Sequence, residues 1–417
     1  MKKFNKTLLG STLTVLAGVA LLAYVALLPG VVSAGTGKTI TVDCANNQTT
    51  DRPAIQSAID SADGGDTVKL AGTCQLDGTQ VFITKSNLTI TGAGAPGSWS
   101  TVVKGIAVVG GTPQGDGSTA PFPYFNRGFH IGDETGNSQV ENVLIENIKF
   151  STLHRGVIVG PQIGGNTGLC SGITVGTGSA SSIVVQNNWF DNDDRAAEIF
   201  GTANKVTLQN NRVTNNSTGD TDFIVIGQSL GCTNPLGVNG QGSLSPFGIP
   251  ENSAIVGNSI SGGHEAEPIE VAYSDKITVA ANSISTAGGT YEMILLIEDS
   301  NSLVSINQIT AGGSAAGIFA SDDGSAVPGF PPNSSNDQIS YNFIRNGTPG
   351  IAIDSDTTGY SIILNGFQND TVADIYLCGT AANLVCDGAT LPSFNNTVVY
   401  INPHTTVIND GTGNKIL

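Results

Sequence analysis

Charged side chains are scarce in this chain: Asp, Glu, Lys and Arg supply 12% of its 417 residues, about half of what a typical soluble domain carries. A disordered acidic chain is rich in charge and poor in Val and Ile, so that class is excluded. Positive charge is the rarer sign, with 17 Lys and Arg against 34 Asp and Glu, and it forms no block. A general nucleic-acid binder needs such a block to meet phosphates, so no nucleic-acid partner is expected. The strong helix formers Ala, Leu, Glu and Lys are too thinly spread for a bundle or coiled coil. Neither CxxC nor Cys/His zinc spacing occurs, so no zinc site is expected. Glycine is abundant, with 54 residues, and Asn, Ser, Thr, Val and Ile accompany it in an all-β composition. A chain of this length ordinarily divides into two or three domains. A solenoid escapes that limit because its core grows in one dimension.

Residues 1–34 read as a signal peptide. Lys2, Lys3 and Lys6 precede an uncharged run that ends at Pro29-Gly30, and Val32-Ser33-Ala34 places small residues before a cleavage point after Ala34. The other reading is an uncleaved anchor, since the apolar stretch 8–28 is long enough to span a bilayer. Cleavage implies a secreted, extracellular or periplasmic protein with no membrane insertion afterwards, and residues 35–417 as its folded domain. The even set of six cysteines fits an oxidising compartment. Pairing sequence neighbours gives Cys44–Cys74, Cys170–Cys232 and Cys378–Cys386.

A phrase recurs along the chain: apolar-x-apolar-x-x-Asn-x-apolar. It appears as Ile183-x-Val185 with Asn188-x-Phe190, Val206-x-Leu208 with Asn211-x-Val213, and Ile277-x-Val279 with Asn282-x-Ile284. Looser copies centre on Asn258, Asn307, Asn342 and Asn365, and an earlier one, Val143-x-Ile145, has Ile148 in place of Asn. Most intervals are 23–25 residues, with longer ones of 47 and 35. Apolar alternation at this period predicts a β-solenoid whose coils stack about 4.8 Å apart over one core. Asparagine suits the corner because it tolerates left-handed backbone angles and its amide can bond the next copy. The 47-residue interval reads as one coil with a long loop, since the insertion lacks an apolar-x-apolar strand phrase.

At the amino end, Asp51-Arg52-Pro53 opens a short helix with Ile55, Ala58, Ile59 and Ala62 on one face, and Gly64-Gly65 closes it. Such a helix can cover the open end of a solenoid. The motifs Ala54-Ile55-Gln56-x-Ala58-Ile59, Gly65-Asp66-Thr67-Val68, Gly72-Thr73-Cys74 and Asn87-Leu88-Thr89-Ile90-Thr91-Gly92-Ala93-Gly94 resemble the start of the right-handed parallel β-helix superfamily typified by pectate lyases (pectin lyase-like). The resemblance implies an all-β, single-stranded right-handed parallel β-helix with a short N-terminal capping helix. It says little of activity, because the superfamily holds lyases, hydrolases, epimerases, tailspikes and non-catalytic surface proteins. The polygalacturonase-type Asn-Thr-Asp, Gly-Asp-Asp, Gly-His-Gly and Arg-Ile-Lys motifs are absent. The nearest fragment is Asn192-Asp193-Asp194-Arg195, and no pectate-lyase signature around a catalytic Arg is recognisable.

A site must then be argued from placement. Each coil has a further strand, aligned here on Val157, Ala197, Phe223, Ile269, Met293, Ile318 and Ile351 as inward residues. On that alignment Glu198, Asp222, Glu270 and Glu292 zigzag over four consecutive coils of one outer face, neighbours roughly 8 Å apart. That separation lies within the ~6.5–9.5 Å of paired carboxylates in inverting glycosidases. Mutual repulsion would raise one or more of their pKa values, as a general acid needs. Glu198, Asp222 and Glu270 are the catalytic candidates. Arg155 and Arg195, at the start of the same strands, are placed to bind a sugar carboxylate or to steady the cluster; Tyr291 can stack on a sugar ring and Glu292 completes the substrate-binding set. Insertions at about 161–181, 228–251 and 321–336 follow these strands and would flank a cleft.

The acids also read as a solvated face or as a Ca²⁺ site, structural or as a lyase cofactor. His264 and His154 near the cluster read equally as surface residues. Two functions follow: a secreted enzyme that cleaves a polysaccharide as hydrolase or lyase, or a non-catalytic extracellular β-helix that binds glycan or belongs to the cell envelope. The acidic net charge works against long-range attraction of a polyanion, which the two arginines offset only locally.

Overall fold

The computed structural model describes residues 37–105, 127–133, 137–160, 179–193, 195–214, 223–227, 249–262, 267–286, 292–312, 316–322, 335–383, 385–386 and 391–417. Every strand pair is parallel. Each full coil contributes one short strand to each of three stacks, as in Ala180–Gln186, Trp189–Asp191 and Arg195–Phe200. The first two stacks are joined in one sheet by the strands at the amino end, and the third is a separate eleven-stranded sheet from Val81–Ile83 to Val407–Asn409. Only one α-helix occurs among the described residues. This is the stacked column that the repeat predicts.

Aliphatic side chains at matched positions run up its centre, for example Ile145, Val185, Leu208, Ile255, Val279, Val304, Ile339, Ile362 and Val398, all almost completely buried. Because each coil meets only its neighbours, this core is continuous along the stack. Phe150 and Phe190 stack at 5.0 Å, and Phe129 meets Phe150 edge-on.

The corner between the first and second stacks divides its labour between two residues. The left-handed conformation belongs to the residue before the repeat Asn: Asn187, Asn210, Gly257, Ala281, Ile306, Tyr341 and Leu364 all have φ between 52° and 65°. The repeat Asn itself turns inward. Asn211 takes two donors from Asn188, its backbone N–H at 3.0 Å and its amide at 3.3 Å, while the Asn188 amide also donates to the Ile145 carbonyl. The same pattern climbs through Asn258, Asn282, Asn307 and Asn342 to Asn365. Ile148 holds the position in the coil below, and its N–H donates to Asn188 Oδ1, so the ladder starts where the sequence changes from Ile to Asn. Asn211 bonds directly to Asn258, which makes the 47-residue interval a single coil.

The amino end is closed by the helix Asp51–Ser61, with Ile55, Ala58 and Ile59 buried on the first coil. The Asp51 carboxylate accepts N–H groups from Ala45, Asn47 and Gln75, tying the helix to the strands around it. One strand escaped the sequence reading: Thr39–Ala45 stacks in register beneath Thr67–Gln75. The disulfide Cys44–Cys74 joins these two strands, and Cys378–Cys386 closes a short loop near the carboxyl end. Both pairings agree with expectation, whereas Cys170 and Cys232 lie outside the described residues. No helix among the described residues is long and apolar enough to cross a membrane.

Candidate functional site

The third sheet carries the candidate residues, and its register corrects the sequence alignment in two coils. Val157 pairs with Ala197, then Ile224, Ile269, Ile294, Ile318 and Ile351 follow in order. Phe223 and Met293, the residues the repeat predicts at those places, lie one residue earlier. At the entry of these strands two successive residues face inward, so Ala196 and Ala197 are both in the core, as are Phe223 with Ile224 and Met293 with Ile294. Strict alternation fails there because the chain is still turning the corner when the strand begins. Ile224 and Ile294, read as outward, are therefore core residues.

Two rows result. The outward row through the strand centre reads Phe82, His130, Ile158, Glu198, Val225, Glu270, Leu295, Phe319 and Ala352. Glu198 and Glu270 share it, but Val225 stands between them, which puts their backbones two coils apart, about 10 Å. The second row, at the strand entry, aligns Arg127, Arg155 and Arg195. Glu267 and Glu292 stand two residues before Ile269 and Ile294, the same count by which Arg195 precedes Ala197. The expected four-acid zigzag is thus not one row: Glu292 belongs with the entry row, and Asp222 and Tyr291 lie outside the described residues. So does His264.

Glu198 is fully buried, and its two oxygens go to two different arginines. Oε1 accepts from Arg195 Nη1 at 2.5 Å and Oε2 accepts from Arg155 Nε. The Arg155 Nη1 also meets His154 Nε2. Burial alone would push the Glu198 carboxyl up, but Arg155, Arg195 and His154 together outweigh it and hold the group down at about 2. This reverses the expectation of a raised acid: at neutral pH Glu198 is an ionised clamp on two guanidiniums. Of the two roles the sequence offers Arg155 and Arg195, holding a sugar carboxylate or steadying the acidic cluster, these contacts match the second.

His130 is a member of the row that was not anticipated. It is fully buried, and its Nε2 lies 2.8 Å from the Gly160 carbonyl oxygen. A carbonyl only accepts, so Nε2 carries the proton and Nδ1 the lone pair. Burial pushes the ring down to about 4, with Arg127 adding to the effect, so His130 is neutral at pH 7. The only sequence signal was its place one residue after the apolar Phe129 in a strand phrase.

A carboxylate cage for Ca²⁺ is not assembled among the described residues. Glu198 is committed to arginines, and the one grouping of three candidate metal ligands, Asp354 with Cys378 and Cys386, has its sulfurs tied in a disulfide. The two tryptophans sit elsewhere, Trp189 on the second stack with Trp99 beside it at 5.5 Å. Lys149 and Arg212, from the coils on either side, cover the Trp189 ring at 3.8 and 5.0 Å, so that ring is not a bare platform for a sugar.

No family model and no curated protein matches the chain. Solved structures do. An alginate lyase from Paenibacillus sp. strain FPU-7 is similar over 79% of this chain and 95% of its own, with a TM-score of 0.54 at 13% identity. A DFA-IIIase from Arthrobacter chlorophenolicus A6, without its lid and in complex with GF2, is similar over 90% of this chain and 93% of its own, with a TM-score of 0.53 at 17% identity. The chain has the right-handed parallel β-helix fold. At such identities the likeness is one of fold, and within this β-helix the third sheet is where ionisable side chains gather in register.

Proposed function

We propose that the protein is an exported carbohydrate-active enzyme that lays a polysaccharide along the third sheet, across the row of Arg127, Arg155 and Arg195. The observation that carries this reading is that row itself: three guanidiniums in register on consecutive coils, in a chain with twice as many acids as bases. Guanidiniums suit a sugar carboxylate because they offer paired donors in a plane. Glu198 holds two of them in place, so its part is positioning. Glu270, in the same outward row and partly exposed, is the acid or base we assign to the reaction, with Glu292 as a further carboxylate at a coil entry; Asp222 stays a candidate from the sequence. The neighbours in fold named for lyase and DFA-IIIase activities agree with an enzyme acting on glycan.

The test is a panel of neutral and acidic polysaccharides, assayed by new reducing ends and by absorbance at 235 nm. Turnover on an acidic member, cut at least tenfold in Glu270→Gln and Arg195→Ala, supports the reading. Full activity in both variants removes it. A second reading, a non-catalytic glycan binder or cell-envelope protein, draws on the commitment of Glu198 to arginines and on the missing catalytic motifs. It prevails if an array shows binding and the panel shows no turnover.

A further inference from the structure

Two aspartates lie inside the corner that leads from the third sheet into the first stack. Asp299 and Asp337 are both completely buried, on adjacent coils. The bridge Ser300–Ser335 and the pairing of Leu303 with Gln338 put Ser302 directly beneath Asp337. Each carboxyl has one oxygen satisfied: Asp299 Oδ1 accepts from Ser274 Oγ at 2.9 Å, and Asp337 Oδ1 accepts from the Ser302 N–H at 2.7 Å. The second oxygen of each, Oδ2, is buried with no partner.

Neighbouring coils show what this corner ordinarily requires. Ser302 Oγ accepts the Ile277 N–H, Asn396 Oδ1 accepts the Tyr360 N–H, and Asn414 Oδ1 accepts the Asn396 N–H. These are neutral acceptors in a second internal ladder, and Asp337 occupies a rung of it. Two bare carboxylates in such a place would leave charge buried beside charge. Neutralisation has two sources, a proton or a cation. A hard cation such as Ca²⁺ wants six or more oxygens, and among the described residues this pair belongs to no grouping of three ionisable ligands. The proton is favoured.

We propose that Asp299 and Asp337 are held protonated inside this corner of the folded protein, and that their deprotonation loosens the stack of coils. Burial is the first cause that raises both groups, Asp299 well above the usual range with the Asp337 charge adding to it, and Asp337 to about 7. The other ionisable groups facing the two aspartates are Asp275 from the coil below, which pushes Asp337 further up and is itself paired with surface Lys276, and Tyr360 from the coil above, whose hydroxyl works against the rise of Asp337. Folded carboxyls that hold protons longer than unfolded ones lose stability as pH rises, here from about 4 through about 7 and beyond. Each proton so held makes the unfolding constant rise about tenfold per pH unit across that window.

The experiment is thermal unfolding of the full chain between pH 4.5 and 9, for the wild type and for Asp337→Asn and Asp299→Asn. Asparagine keeps the acceptor for the Ser302 N–H, as Asn396 does for Tyr360. Asp370, which burial also raises to about 7, contributes its own slope, so Asp370→Asn serves as the comparison. The proposal expects the melting temperature of the wild type to fall with pH and the fall to shrink in either Asp299 or Asp337 variant, by more than in Asp370→Asn. An unchanged slope in both variants overturns it. So does a wild-type melting temperature that drops on adding a chelator, since a cation would then be doing the neutralising. Should neither variant fold, infrared spectra of the wild type decide: a protonated-carboxyl band at pH 6 that disappears by pH 9 supports the proposal, and its absence at pH 6 refutes it.

Discussion

Replacing Glu198 with Gln keeps the shape of the side chain and removes the charge that two guanidiniums share, the buried one of Arg155 and the partly exposed one of Arg195. The carboxyl is held at about 2 against an ordinary 4.5, and a difference of one unit is 1.36 kcal/mol. The ionised form therefore contributes about 3 kcal/mol, in line with the 3–5 kcal/mol lost when one partner of a buried pair is removed. Because the folded pKa is depressed, that contribution is complete above about pH 4.5 and fades as pH falls through 2. For a chain of this length the unfolding entropy converts 3 kcal/mol to roughly 4 °C. Calorimetry of wild type and Glu198→Gln at pH 7 and at pH 2.5 gives the comparison. We expect a deficit of about 4 °C at pH 7 that has mostly closed at pH 2.5. Equal melting temperatures at pH 7, or a deficit of the same size at both pH values, would refute the clamp.

Two further predictions concern the corner. Asn258→Ala removes the acceptor of Asn211 and the donor to the Leu208 carbonyl, leaving buried groups unpaired; we expect a loss of about 3 kcal/mol in chemical denaturation, and a loss below 1 kcal/mol would show that the ladder is ornamental. Ile306 holds φ at 59°, a conformation that costs a branched side chain about 1–2 kcal/mol. Ile306→Asn should stabilise by about 1 kcal/mol, and a destabilised variant would mean that the Ile306 side chain contributes more by packing than it loses by conformation.

The column of coils was legible in the sequence because its signal is local. The recurring Asn and the flanking apolar alternation each report a position within one coil, and the structure adds only that the left-handed residue is the neighbour of the Asn. The capping helix and two cysteine pairs were legible for the same reason. The third sheet was harder. Phe223 and Met293 were each placed one residue out of register because both residues at the strand entry face inward, and a single slip shifts an outward position to a different row. Glu292 moved rows on that account. Glu198 kept its place, but its ionisation depends on which long side chains reach across the coils, and only the register of Arg155 beneath Arg195 reveals that. Asp299 and Asp337 were silent in the sequence because they lie 38 residues apart, in a corner whose rungs mix Ser, Asp and Asn.

The most direct measurement of the central claim is a crystal structure with an acidic oligosaccharide soaked into a catalytically slowed Glu270→Gln protein. The account expects sugar over the third sheet, with a carboxylate within hydrogen-bonding distance of an arginine of the entry row and Glu198 still clamped between Arg155 and Arg195. Sugar bound on another face, with that row untouched, would contradict it.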